Sequence, residues 1–320
     1  MRYATPLLLF VALAALAGLA PGCGCREGEK PRRLRVFHAS GLTPVIEAVR
    51  EDARRKLGIE LVAETSGSQT ACRKVTELGR GCDLLMLADN SLVTALLGGT
   101  ASWRLDFATD EVVLAVGARA PEPDRAEEDW VSVLTAEGVR LGRVNENTGP
   151  IGYRTLLVWK LQEAQGAARL SECLRARCTR VVDHVSQLSP LLKTGEIDYA
   201  FVYRSLCIAH DIRHIRLDPA VNLGSPEVDY SGAVVRYRKR GLGGDETVTV
   251  TGAPVTWTLT VPDRGADAAL AAEFARWLLK SKRDVLERHG FRPLSRPRFY
   301  GSAEAFAPFE EVAERTGELR

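Results

Sequence analysis

Apolar residues recur along this chain in two alternating rhythms, short buried runs and helical spacings, and the alternation predicts the architecture. Leu34 to Phe37 reads as a strand, and Val45, Ile46, Val49 and Leu57 fall on one face of a helix over Thr43 to Leu57. A strand at Ile59 to Ala63 follows, then the small-residue turn Thr65-Ser66-Gly67-Ser68, a helix through Leu78, and a strand at Asp83 to Leu87. The succession of strand, glycine-rich turn and helix returns between Leu141 and Val202 without repeating the sequence. Phe107 to Val116 reads as the strand that first carries the chain across, and Tyr230 to Val261 shows strand signals around the turn Gly241-Leu242-Gly243-Gly244. Ala268 to Leu279 is an amphipathic helix that should return to the first half. Strands alternating with helices predict an α/β protein of two lobes, each a mostly parallel sheet flanked by helices. Ligands of such proteins sit in the cleft between the lobes.

The first 25 residues follow a different pattern. Arg2 gives a minimal positive start, Leu7 to Leu19 is a continuous apolar run, and small residues lead into Cys23, which is signal-peptide grammar. The run has 13 residues, short of the roughly 20 that a spanning helix needs. Leu19-Ala20-Pro21-Gly22-Cys23 resembles a lipobox, at which the leader is removed and the cysteine thiol acylated, although the leucine stands four places before the cysteine instead of three. The expected boundaries are a signal peptide over 1–22, a lipid-attachment cysteine and tether over 23–33, one lobe from 34–115 plus 250–320, and a second from 116–249.

Composition narrows the function. The 43 basic and 41 acidic residues nearly cancel, so no broad attraction to nucleic acid is implied and any anion must be recognised locally. Export favours disulfides, with Cys72–Cys82 and Cys173–Cys178 as the plausible bridges among the six cysteines that follow Cys23. Chemistry-bearing motifs are weak. His210 and His214 have the i, i+4 spacing of a helical metal pair, but Asp211 stands where a catalytic glutamate would. No G-x-S-x-G elbow occurs, and Gly241–Gly244 lacks the G-K-[ST] ending of a phosphate loop. Neither an enzyme nor a resident cofactor or metal is expected.

Three turns instead share one chemistry. His38-Ala39-Ser40-Gly41, Ser66-Gly67-Ser68 and Pro150-Ile151-Gly152-Tyr153 each lie between a strand and a helix, where backbone N–H groups and the positive helix end favour an anion. Singly, each is an ordinary cap; together they suit a cleft that holds a dianion with neutral donors.

These residues resemble the periplasmic tungstate and molybdate binding proteins of ABC importers, closest to the archaeal-type branch. The likeness runs from about residue 34 to 295 through Val36-Phe37-His38-Ala39, Gly67-Ser68, Ala88-Asp89, Phe107-Ala108-Thr109, Gly152-Tyr153-Arg154, Thr194 to Tyr203, and Asn222-Leu223. The resemblance implies the type II binding-protein fold and an oxyanion bridging both lobes. It implies hydroxyl donors at Ser40 and Ser68, with Gly41 and Gly67 beside them, backbone N–H groups at Ile151, Gly152 and Val185, and the phenol of Tyr203. Arg154 either pairs with a carboxylate or touches the ligand. The implied partners are ABC permease subunits in the membrane and the lipid anchor, for a periplasmic, membrane-tethered monomer that closes on molybdate or tungstate. A sensor that feeds no transporter fits the same residues.

Two departures from that family matter. Archaeal-type members carry two carboxylates that raise the metal's coordination to six; here Gly149 and Ala220 stand in their places, with Asp218 two residues from the second. A carboxylate beside an oxyanion is repulsive unless it bonds the metal, so losing both suits an intact tetrahedral dianion. The same losses admit sulfate, phosphate or another oxyanion.

Overall fold

The computed structural model describes residues 31–239, 246–263, 265 and 267–319. The expected leader, Cys23, Cys25 and the Gly241–Gly244 turn lie outside the described residues.

The chain starts with β1 (Arg32–Ala39), α1 (Thr43–Leu57), β2 (Ile59–Ser66), α2 (Ser68–Thr76), β3 (Leu84–Leu87), α3 (Ser91–Leu97) and β4 (Arg104–Thr109). In α1 the apolar spacing buries Val45, Ile46, Val49 and Ala53, and Gly58 ends the helix in the left-handed conformation that a glycine adopts without strain. The next group is β5 (Val112–Val116), α4 (Pro123–Thr135), β6 (Leu141–Val144), α5 (Pro150–Ala164), α6 (Leu170–Arg177), β7 (Cys178–Val182), α7 (Leu188–Thr194), β8 (Tyr199–Tyr203), α8 (Arg204–His210) and β9 (His214–Arg216). A two-stranded ribbon of β10 (Val234–Arg238) and β11 (Thr247–Thr251) precedes β12 (Thr256–Thr260), α9 (Ala268–Ser281), α10 (Arg283–Arg288), β13 (Arg292–Tyr300) and β14 (Glu314–Gly317).

Two sheets result, one of seven strands in the order β14-β13-β4-β12-β3-β1-β2 and one of five in the order β7-β6-β8-β5-β9. Parallel pairing covers half of each. In the larger sheet β1/β2, β1/β3 and β13/β14 are parallel, while β4 and β12 run antiparallel to their neighbours. In the smaller, β6/β7 and β6/β8 are parallel and β5 is antiparallel to both its partners. β5 enters the smaller sheet straight from β4 of the larger, with no covering helix between them, and it runs antiparallel to both its partners.

The apolar stretch from Phe107 to Val116 is two strands. The first ends at Thr109 in the larger sheet and the second begins at Val112 in the smaller, so the chain crosses at Asp110–Glu111, ahead of residue 115. Glu111 is buried there among Arg204, Arg216 and Arg292 and accepts from Asn222 Nδ2 at 3.1 Å. β1 likewise starts two residues before Leu34.

Each sheet is pinned by the same clamp at the end opposite the candidate site. Arg35 gives its backbone N–H and Nε to one oxygen of Asp83 and Nη2 to the other, at 2.8, 3.0 and 2.7 Å. Arg140 does the same to Asp198 at 2.8, 3.1 and 2.5 Å. Both carboxylates are buried, and the paired charge with three hydrogen bonds makes that burial tolerable.

One expectation fails. Cys72, Cys82, Cys173 and Cys178 are free thiols, not disulfides. Burial pushes the Cys72 thiol far up and Cys82 to about 12, so neither attacks as a thiolate. His210 ends α8 and His214 lies in β9, separated by Asp211 at φ 52°, so the two imidazoles never share a helical face. Among the described residues no group of three or more His, Cys, Asp or Glu could hold a metal ion, and no helix is long and apolar enough to cross a membrane.

Candidate functional site

Parallel strands bring their carboxyl ends to one edge, and register decides what meets there. Ala39 pairs with Ser66, so β1 and β2 end level and hand over to Ser40 and Gly67 at the same height. Beside them β3 delivers Ala88, while the smaller sheet contributes the segments after β6 and β7 and the last residue of β8. These ends surround one cavity, walled by Ala39, Ser40, Gly41, Gly67, Ser68 and Ala88 on one side and Gly149, Pro150, Ile151, His184, Val185 and Tyr203 on the other, with Trp257 of β12. Among the described residues, no Asp, Glu, Lys or Arg is part of this wall.

Seven of the eight residues expected to bind are therefore brought together. The eighth, Gly152, lies off the wall; its N–H donates to the Gly149 carbonyl at 2.9 Å, and a Cβ there would meet the Asn145 carbonyl group at 2.6 Å. Asp218 is also elsewhere, accepting from the Ala220 N–H at 2.8 Å in a local turn. His184 and Trp257 were not legible as wall residues, because neither belongs to a small-residue turn before a long helix.

The sequence builds a donor-rich wall by leaving out caps. Ala39, Gly67 and Gly149 stand at the N-cap positions of the 3-10 turn Ser40–Leu42, of α2 and of α5, and none offers a side-chain oxygen to the first turn. Serine, threonine or aspartate at such a position would bond those N–H groups, whereas alanine and glycine leave them for a guest. Gly41 is required for packing, since a Cβ would lie 2.8 Å from the Trp257 ring.

The two hydroxyls with visible partners each accept a hydrogen bond from behind, which leaves their protons free to donate toward the cavity. Ser68 Oγ accepts the Ala88 N–H at 3.0 Å, and Tyr203 Oη accepts Arg154 Nη1 at 2.7 Å. An oxygen whose lone pair is engaged from behind keeps its proton for the other side. Burial pushes the Tyr203 phenol well above its ordinary pKa, against the pull of Arg154, so that proton stays on. Burial also lowers His184, opposed by Asp183 and reinforced by Lys74, which leaves the imidazole neutral at neutral pH.

The two sides touch around the cavity. Gln69 Nε2 donates to the Glu146 carbonyl at 2.7 Å and Arg73 Nη1 to the Asn147 carbonyl at 2.9 Å. Behind Tyr203, Arg154 Nη2 meets Asp89 Oδ2 at 2.9 Å, which resolves its role: it pairs with a carboxylate and is not part of the wall. The cavity is small, with room for a single guest of a few atoms.

The chain is 27% identical to the molybdate/tungstate-binding protein WtpA of Pyrococcus abyssi over 331 aligned positions, with 93% of each chain covered. It is 29% identical to an uncharacterized solute-binding protein of Petrotoga mobilis over 269 positions, covering 82% of this chain and 84% of the relative. Its fold is that of the periplasmic molybdate-binding protein of Azotobacter vinelandii, with a TM-score of 0.58 at 18% identity, covering 81% of this chain and 98% of that one. The architecture is thus the two-lobed one of periplasmic binding proteins. Residues 34–292 match the family of bacterial extracellular solute-binding proteins. The chain belongs to that family, whose members carry a solute without transforming it.

Proposed function

We propose that this protein captures a tetrahedral oxyanion dianion, molybdate or tungstate, and presents it to an ABC permease as a lipoprotein tethered through Cys23 on the periplasmic side of the membrane. The reading rests on one observation above all, a small cavity with hydroxyl and backbone donors and no charged wall residue. Ser40, Gly41, Gly67 and Ser68 hold the guest from one lobe, and Ile151, Val185 and Tyr203 from the other. Lobe closure brings both sets to the anion, and the closed form is what a permease recognises. The leader over 1–22 and the tether that follows supply export and anchoring, and the protein acts as a monomer.

Neutral donors suffice because fixed N–H dipoles at helix starts replace the water that a dianion loses. Selection follows from counting protons: a guest O–H finds the Ser68 and Tyr203 oxygens already occupied, and a buried unpaired group costs about 1 to 3 kcal/mol. Sulfate is the second reading, favoured by the absence of a carboxylate at residue 149, which a six-coordinate metal centre would use. Calorimetric titration of the full chain with molybdate, tungstate, sulfate and phosphate decides. Strong heat with molybdate or tungstate supports the first reading, sulfate alone the second, and none with any of the four rejects both.

A further inference from the structure

Arg154 is the most heavily engaged side chain behind the cavity. It is 3% exposed on α5, and its Nη1 donates both to Tyr203 Oη at 2.7 Å and to the Ala88 carbonyl at 2.5 Å. Its Nη2 meets Asp89 Oδ2 at 2.9 Å, and the same oxygen accepts the Tyr153 hydroxyl at 2.7 Å. Ala88 and Asp89 follow β3 of the larger sheet, whereas Arg154 and Tyr203 belong with the smaller. Ala88 in turn gives its N–H to Ser68 Oγ. One guanidinium therefore reaches the hydroxyl donor of its own lobe and the residue that holds the hydroxyl donor of the other.

We propose that Arg154 is the positioning residue of the site: by occupying the Tyr203 oxygen it makes the phenol an obligate donor, and by reaching Ala88 and Asp89 it ties that state to the meeting of the lobes. The inference rests on the anion-binding reading above. Asp89 neutralises the guanidinium, so Arg154 does not serve as a counter-charge to the guest; its influence passes through the hydrogen on Tyr203. A phenol relieved of Arg154 can rotate and accept, and the cavity then tolerates a guest that carries an O–H. The predicted signature is therefore in selectivity between anions of equal charge and shape.

Sulfate and hydrogen phosphate at mildly alkaline pH are such a pair, both tetrahedral dianions differing by one O–H. The readout is the affinity ratio of the tightest-binding unprotonated oxyanion, among tungstate, molybdate and sulfate, to hydrogen phosphate, measured by calorimetry on the full chain. Arg154→Lys keeps the charge but lacks the fork that spans Tyr203 and Asp89, and it should lower that ratio at least about tenfold. In a Tyr203→Phe background the same change should leave the ratio where Tyr203→Phe alone puts it. Asp89→Asn, which spares the bond to Tyr203 but unmasks the guanidinium charge, should shift the affinity for every dianion by a common factor and leave the ratio as in the parent. If Arg154→Lys weakens all anions equally, or still shifts the ratio without the Tyr203 hydroxyl, or if Asp89→Asn changes the ratio, the positioning role is wrong. Should Arg154→Lys not fold, Arg154→Met, which also leaves the Tyr203 oxygen unoccupied, carries the same ratio test. A parent protein that binds none of these anions defeats the anion-binding reading instead.

Discussion

Gly67 and Thr148 meet backbone to backbone where the two lobes touch: a Cβ on Gly67 would lie 2.0 Å from the Thr148 carbonyl oxygen and 2.6 Å from its carbon. Neither atom is the end of a flexible side chain, so the contact closes only with glycine. Because Gly67 sits at φ −68°, alanine is compatible with its own lobe, and the clash arises only on closure.

Gly67→Ala should therefore weaken anion binding while leaving the melting temperature of the free protein nearly unchanged. Overpacking costs of about 1 to 3 kcal/mol correspond to affinity losses of about 5- to 150-fold. Titration beside a melting curve checks this, and small-angle scattering should show less ligand-induced compaction. Unchanged affinity would mean that the lobes do not need this approach.

Ser68→Ala removes a cavity donor and also strands the Ala88 N–H that its oxygen accepts. Binding should weaken by about 1 to 3 kcal/mol. The free protein should also melt lower, because Ser68 and Ala88 are both buried on one side of the cleft. A loss of stability with full affinity retained would assign the serine to structure alone.

Gly149→Asp puts a carboxylate into the neutral wall at the position where archaeal-type relatives carry one. The nearest obstacle to a Cβ there is Val144 Cγ1 at 3.2 Å, so a Cβ is accommodated after a small shift. Sulfate binding should fall steeply through charge repulsion, with molybdate and tungstate less affected because a metal can take the carboxylate as a ligand. Equal loss for all three, read by competition titration, would show that the substitution only blocks space.

Asp110 gives the pH dependence. It is buried at the crossing, accepts the Glu111 N–H at 2.8 Å on Oδ1, and leaves Oδ2 without a partner. Burial raises its pKa from 3.8 to about 6, against the hydrogen bonds from Ser205 and Glu111. The folded state thus holds a proton that the unfolded chain has already released. This group's contribution to stability is fully present below about 4, declines as pH rises to about 6, and stays lost above. At about 1.4 kcal/mol per pH unit, the loss approaches 3 kcal/mol. Asp110→Asn should stabilise the protein at pH 7 and not at pH 4, as denaturant midpoints at the two values would show; the reverse order would contradict the assignment.

Elements whose signal is local were readable. Helix α1 spans Thr43–Leu57 because four apolar positions at helical spacing are followed by a glycine that ends it. The turns at Ser40, Gly67 and Ile151 announced themselves by small residues between strand and helix, and they do line one cavity. What depends on distant partners was not readable. Arg154 lies 65 residues from Asp89, and only the folded chain shows that it is committed there and not to a guest. Trp257 comes from a late strand and enters the wall through the placement of β12 against β3 and β4. Spacing suggested disulfides, but two cysteines close in sequence need matching Cβ vectors as well, and the thiols remain free.

Anomalous scattering from tungsten in crystals grown with tungstate tests the central claim most directly. A single strong peak should lie inside the cavity, its four oxygens within hydrogen-bond reach of Ser40, Ser68 and Tyr203, with no carboxylate bonded to the metal. A peak at any other place on the protein, or a six-coordinate tungsten holding an acidic side chain, would contradict it.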